Sequence, residues 1–213
     1  MTGTGGAGRP EKRRVITRAA TAVFGREGYL RASMDAIAAE AGVSKRTVYN
    51  HFPDKETLFL TVALRSSAGL AEQVRRLMAE HLDRAEDPRR ALVGFAVARA
   101  RVVLAAGEHG AVGRAIRAEV ANVPADVLEA WREAGPVATR RDLADRLAAL
   151  AGRGLLAVDD PERAAERFTL LTLHGVAERS FWGVLPVAEE EAGRIAADGV
   201  DAFLRIHGVP AAA

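Results

Sequence analysis

No cysteine occurs anywhere in the 213 residues. That excludes disulfides, thiolate metal sites and cysteine nucleophiles, and it leaves the fold to rest on packing alone, as a reducing cytoplasm allows. Lysine is nearly absent: Lys12, Lys45 and Lys55 are the only ones, and arginine carries every other basic position. Long apolar runs are missing too. The best candidate, ALVGFAVARARVVLAAG, is interrupted by Arg99 and Arg101, and the start, MTGTGGAGRPEKRR, has no apolar core of a signal segment, so a soluble cytoplasmic protein with no membrane contact is expected. The five histidines show no i, i+4 pair and no HExxH spacing, and neither GxSxG nor a phosphate-binding loop appears. Gly3 to Gly8 fits GxGxxG, but no strand precedes it. No cofactor, metal site or catalytic residue is therefore expected. Alternating β-branched runs are also lacking, which leaves an all-α chain.

The charge that is present is unevenly placed. Up to Asp54, nine cations face five anions, an excess of +4, whereas the whole chain carries only +2 and the remainder is therefore at −2. A basic N-terminal end suits nucleic acid. Residues 1–10 are Gly-rich and read as a flexible arm. From about Glu11, the apolar residues Val15, Ile16, Ala19, Ala20, Val23 and Phe24 recur at helical spacing up to Gly25 and Gly28. Ser33 caps a second helix with Met34, Ile37, Ala38 and Ala41 inward; Gly42 permits a sharp turn; Ser44 caps a short third helix with Val48 and Phe52 inward. Pro53 ends it, and Asp54 caps a long fourth helix that runs to the break at Asp87-Pro88. Only helices follow, one of them with a break at Gly135-Pro136.

Two helices joined by a tight Gly-containing turn, the second short and starting with Lys45 and Arg46, form a helix-turn-helix whose second helix enters the major groove. Cations in a first helical turn oppose the helix dipole, at a cost of roughly 0.3–1 kcal/mol. A phosphate bound there would more than offset it. The stretch from Val15 to Leu60, including FGREGY and SMDAIAAEAGVSKRTVYNHFPDKETLF, closely resembles the DNA-binding domain of the TetR family of bacterial transcriptional regulators.

The resemblance implies a homodimer that grips a palindromic double-stranded operator and releases it when a small-molecule effector enters the C-terminal domain. It divides the chain into an arm (1–10), a helix-turn-helix domain (11–55) and a helical effector-binding and dimerisation domain (56–213). Lys45 and Arg46 reach base edges or phosphates, Arg46 being the better candidate for a bidentate guanine contact. Many relatives have a small residue in place of Arg46, so the base preference is this chain's own. Thr47 meets a thymine methyl or a phosphate. Tyr49, His51 and Lys55 resemble phosphate-contacting positions, with core packing the alternative for Tyr49 and a helix C-cap that for His51. Asn50 contacts a phosphate or reads a base, Ser33 donates to a further phosphate, and Arg9, Arg13 and Arg14 track the backbone or the minor groove from the arm.

In the C-terminal part, the segment from Phe168 to Trp182 has two apolar faces, one with Phe168, Leu171, Gly175, Val176 and Trp182, the other with Leu170, Leu173, Ala177 and Phe181. A helix apolar on two sides is buried on two sides. With the stripe Ile195, Gly199, Ala202, Phe203 and Ile206 of the last helix, this predicts a homodimer through the last two helices, in a four-helix bundle. Candidate ligand residues are Arg99, set in the middle of an apolar stripe, Trp131 and His174. For Arg99, snorkelling or pairing with a carboxylate competes with an anionic ligand. A constitutive regulator or an activator is the alternative function, and an all-helical enzyme a more remote one.

Overall fold

The computed structural model describes residues 8–105 and 107–209. Among them the only non-helical pairing is a single antiparallel bridge between Leu156 and Gly208, so the protein is all-α. The helices are α1 (Gly8–Arg31), α2 (Met34–Glu40), α3 (Lys45–His51), α4 (Lys55–Leu82), α5 (Pro88–Leu104), α6 (Glu108–Ala118), α7 (Ala125–Arg132), α8 (Ala138–Gly152), α9 (Pro161–Thr169), α10 (Gly175–Arg179) and α11 (Glu189–His207). Their starts follow local chemistry. Ser33, Ser44, Asp87 and Asp160 each accept a hydrogen bond from a backbone N–H three residues on, at 3.0–3.1 Å, and Asp54 does the same for Thr57 at 2.7 Å. Such caps contribute about 1 kcal/mol apiece.

Two features depart from the reading above. α1 begins at Gly8, so Arg9 and Pro10 form its first turn rather than part of a loose arm; proline there loses no helical hydrogen bond. Residues 1–7 of the expected arm lie outside the described residues. At the other end α1 passes through Gly25 and is deflected at Gly28, whose φ of 79° and ψ of 177° only glycine adopts readily. The second departure is at Gly135-Pro136. The helix does not break; a π-turn, Glu133–Val137, links α7 directly to α8. The wider turn accommodates a ring that would clash with a carbonyl one α-turn back.

The chain forms two compact units. One comprises the described part of Met1–Gly69 with Gly107–Ala134, the other Leu70–Ala106 with Gly135 onward. The first core joins Ile16, Phe24, Ile37, Val48, Phe52 and Phe59 to Val112, Ile116 and Val127 from α6 and α7. Phe24 and Phe59 meet edge to face at 4.8 Å. The compact first unit thus includes helices that lie far beyond residue 55 in sequence. In the second unit Phe95, Phe168 and Phe203 are fully buried, with Phe168 stacked on Phe95 at 5.9 Å and edge-on to Phe203 at 5.3 Å. A second π-turn, Leu170–His174, links α9 to α10.

This π-turn alters the two-faced helix read from the sequence. Leu173 and Ala177, read on one apolar face with Leu170 and Phe181, are buried like Phe168 and Val176 of the other face, while Leu170 and Phe181 are exposed, Phe181 at 69%. A wheel drawn at 100° per residue loses register across a turn of i→i+5 hydrogen bonds.

Candidate nucleic-acid interface

α3 buries Val48 completely and its cap residue Phe52 completely, and turns Lys45, Arg46, Tyr49 and Asn50 outward. Apolar residues four apart fix that face, so the polar ones share the opposite side. Lys45 Nζ pairs with the Asp35 carboxylate of α2 at 2.9 Å, which raises its pKa. Both groups are exposed, so the pair is easily exchanged for another anion. Arg46 has no hydrogen bond or ion pair among the described residues, and Tyr49 is 44% exposed rather than packed in the core. Thr47 is partly occupied: its hydroxyl is 2.8 Å from that of Ser44. Ser33 lies exposed at the N-terminus of α2 with its oxygen accepting from Ala36 N at 3.1 Å, which leaves the hydroxyl proton to donate.

His51 ends α3, and its carbonyl accepts from Arg13 Nη1 at 2.9 Å. The Arg13 guanidinium also lies over the Phe52 ring, 4.2 Å from its centroid. Arg13 therefore fastens α1 to the end of the recognition helix instead of reaching outward. Burial, then the neighbouring Arg9, Arg13 and Lys12, lower the pKa of the His51 ring, so at neutral pH it offers a hydrogen bond rather than a charge. Arg14 is paired with Glu11 at 2.7 Å.

Lys55 does something the sequence did not suggest. Its Nζ donates to the carbonyls of Tyr29 at 2.9 Å, Ala32 at 3.3 Å and Leu30 at 3.4 Å, and sits over the Tyr29 ring, 4.6 Å from its centroid. Those carbonyls belong to the stretch deflected at Gly28, where helical partners have run out. Glu119 of the α6 terminus holds the same stretch from the other polarity, accepting from Leu30 N at 3.0 Å. An ammonium on the carbonyls and a carboxylate on the amide together fix where α2 starts. All three ammonium donors of Lys55 are engaged here, so we propose a positioning role for it rather than the phosphate contact that the resemblance implies. Lys55→Ala is expected to destabilise the fold by about 1–3 kcal/mol and to weaken DNA binding without altering its salt slope. Unchanged melting with a slope smaller by about 0.9 would instead make it a phosphate contact.

The three sequence-predicted ligand residues are not gathered in one unit. Trp131 belongs to the first, where its carbonyl accepts from Ser67 Oγ at 2.7 Å and the Arg117 guanidinium lies 5.1 Å from its ring centroid. His174 and Arg99 belong to the second. His174 is exposed and packs edge-on to Trp182 at 5.7 Å. Arg99 is 7% exposed and donates from Nη1 to Thr169 Oγ1 at 3.0 Å. Thr169 went unnoticed in the sequence, though a threonine between Phe168 and Leu170 was the available signal.

A short basic helix projecting from a helix-turn-helix core, within an otherwise helical chain, defines a DNA-binding regulator of transcription. Residues 16–62 match the profile of bacterial regulatory proteins of the tetR family, and residues 90–209 that of the C-terminal domain of AefR-like transcriptional repressors. The chain belongs to the TetR family of bacterial transcriptional regulators. It is similar to a protein of Mesorhizobium loti assigned to that family, with 33% identity and a TM-score of 0.85 over 94% of this chain and 98% of the other. The flavonoid-responsive regulator FrrA is 29% identical, with a TM-score of 0.72 over 95% and 100% of the two chains. The HTH-type transcriptional activator FasR of Mycolicibacterium smegmatis is 39% identical over 87 residues, 41% of this chain; the chain spans 40% of that curated relative's length. Among the described residues no helix is long and apolar enough to cross a membrane.

Proposed function

We infer that the protein is a cytoplasmic repressor that binds a palindromic operator as a homodimer and releases it on binding a small-molecule effector. The observation that carries the DNA reading is the outward face of α3, where among the described residues Arg46 stands without a protein partner and Lys45 is held only by an exposed, exchangeable carboxylate. On this reading Arg46 makes a bidentate contact with guanine, Asn50 contacts a phosphate or reads a base, and Tyr49, Ser33 and His51 contact phosphates. The dimer reading is supported by exposed apolar residues of the second unit: Leu170, Phe181, Val184, Leu185 and Ile206 are each at least half exposed. Phe181 and Trp182 have positive φ, 46° and 57°, so the chain holds an unfavourable turn there with Phe181 facing solvent in the single chain. A repressing role follows the description of the profile matched by the C-terminal part, and a small-molecule effector agrees with the flavonoid-responsive relative.

The test is to incubate the protein with sheared genomic DNA from its own source at moderate salt, then recover and sequence what is retained. A short inverted repeat is expected; retention without sequence preference would overturn the operator reading. Arg46→Ala is expected to relax preference at one base position in each half-site, at about 1–3 kcal/mol for that base, read by sequencing selected sites. Weaker binding with the same preference would make Arg46 a phosphate contact. The activator FasR favours a second reading, activation. A reporter placed under the recovered site distinguishes them by the sign of its response to deletion of the regulator.

A further inference from the structure

Arg99 is buried, yet no carboxylate pairs with it among the described residues. Its only hydrogen bond is from Nη1 to Thr169 Oγ1; Nε is buried without a partner, and no hydrogen bond is made by Nη2. Burial lowers its pKa to about 10, so the group stays charged at neutral pH. An ionised group taken out of water without a counter-charge is costly, and an apolar residue of similar volume would serve the core better. The neighbouring turns of α5 supply Leu92, Phe95 and Ala96 on one side and Val102 and Val103 on the other.

Nε and Nη2 lie on one edge of the planar guanidinium. Elsewhere in this protein that edge is where carboxylates bind: Arg14 takes Glu11, Arg89 takes Asp201 and Arg132 takes Glu129, each through Nε and Nη2 at 2.7–3.2 Å. In Arg99 the same edge has no partner among the described residues, and the other side is anchored by a threonine whose own hydroxyl proton is committed to Ala165 O at 2.9 Å. Thr169 also adjoins the π-turn, an irregularity that recurs at ligand sites within helices.

We propose that the unpaired edge of Arg99 is the anchor for an apolar effector ending in a carboxylate. One buried positive charge matches one carboxylate, bound bidentately, and the aliphatic and phenylalanine surroundings suit an apolar body. Inorganic phosphate, with more charge than one guanidinium balances, is a poorer match. The proposal rests on the reading of the second unit as an effector domain, and it names the chemistry of the effector.

The experiment compares thermal unfolding of the full-length wild type and of Arg99→Met in sodium benzoate, sodium octanoate, benzamide and octanamide at constant ionic strength. At least one carboxylate is expected to raise the wild-type melting temperature by about 3 °C or more near saturation. Its amide, and the same carboxylate acting on Arg99→Met, should need at least about tenfold higher concentration, the loss of a charge-assisted contact. Without ligand, Arg99→Met should melt at or above the wild type, since Thr169 keeps its bond to Ala165. Arg99→Lys, which keeps the charge but not the fork, should respond more weakly than wild type. Equal responses to acid and amide, no response to either carboxylate, or a clear destabilisation of unliganded Arg99→Met would each overturn the proposal. Operator release is scored separately. A carboxylate that stabilises the protein through Arg99 but leaves DNA bound would keep the site and remove its regulatory role.

Discussion

Replacing Gly28 by alanine is expected to lower the melting temperature by about 10 °C, corresponding to roughly 3 kcal/mol or more for a chain of this size, and to abolish operator binding at growth temperature. Two costs combine. At φ 79° and ψ 177° a residue with a Cβ is strained whatever the space around it. A Cβ built there would also lie 2.5 Å from Glu119 Oε1 and 2.8 Å from its carboxyl carbon, so Glu119 must move and release Leu30 N. The deflected stretch after Gly28 leads directly into Ser33 and α2, so an error here displaces the helix-turn-helix as a body. Circular dichroism melting of Gly28→Ala, Glu119→Ala and the double variant separates the causes. If backbone strain dominates, Gly28→Ala costs nearly as much in the Glu119→Ala background. If the carboxylate is the obstacle, most of the loss disappears there. Melting unchanged in Gly28→Ala would show that α1 tolerates a helical residue 28 and that the deflection is not required.

Gly199→Ala is expected to be of similar size, about 3 kcal/mol, for a reason confined to the second unit. A Cβ at Gly199 would stand 2.2 Å from Leu171 O, 2.7 Å from Leu171 C and 3.2 Å from Thr172 Cα. All three are backbone or α-carbon atoms of the π-turn, so no side-chain rotation relieves the contact, and α11 must back away from it. That separation opens the interface of Phe168 with Phe203. Denaturant unfolding with an unaltered slope and a lower midpoint is the expected signature. Gly193, on the same helix with open space around its position, is the control: Gly193→Ala should be neutral or slightly stabilising, by up to about 1 kcal/mol.

Much of the DNA-binding face was legible in the chain itself. Ser33, Ser44 and Asp54 are caps because a short polar side chain before an apolar period satisfies the first free amides, and each does so where the sequence placed it. Val48 and Phe52 four apart decide which side of α3 is buried, and so which side carries Lys45, Arg46, Tyr49 and Asn50. These are local facts, fixed by spacing and by the geometry of one turn. The π-turns were not legible, because their signal is a change of helical register that a fixed angular period conceals; hence Leu173 and Ala177 are buried while Leu170 and Phe181, read on the same face, are exposed.

The sequence by itself determined the all-α class, the helix-turn-helix and the residues that face outward from it, since periodicity and capping act over a few residues. Only the tertiary structure decided what the charged residues meet. Lys55 reaches carbonyls more than twenty positions away, Glu119 an amide eighty-nine positions away, and Arg99 a threonine seventy positions away with no carboxylate paired to it among the described residues. A charge in a sequence carries no record of its partner. Long, flexible side chains find theirs across the fold, and desolvation then determines whether each is an exchangeable pair, a structural clamp or an open anchor.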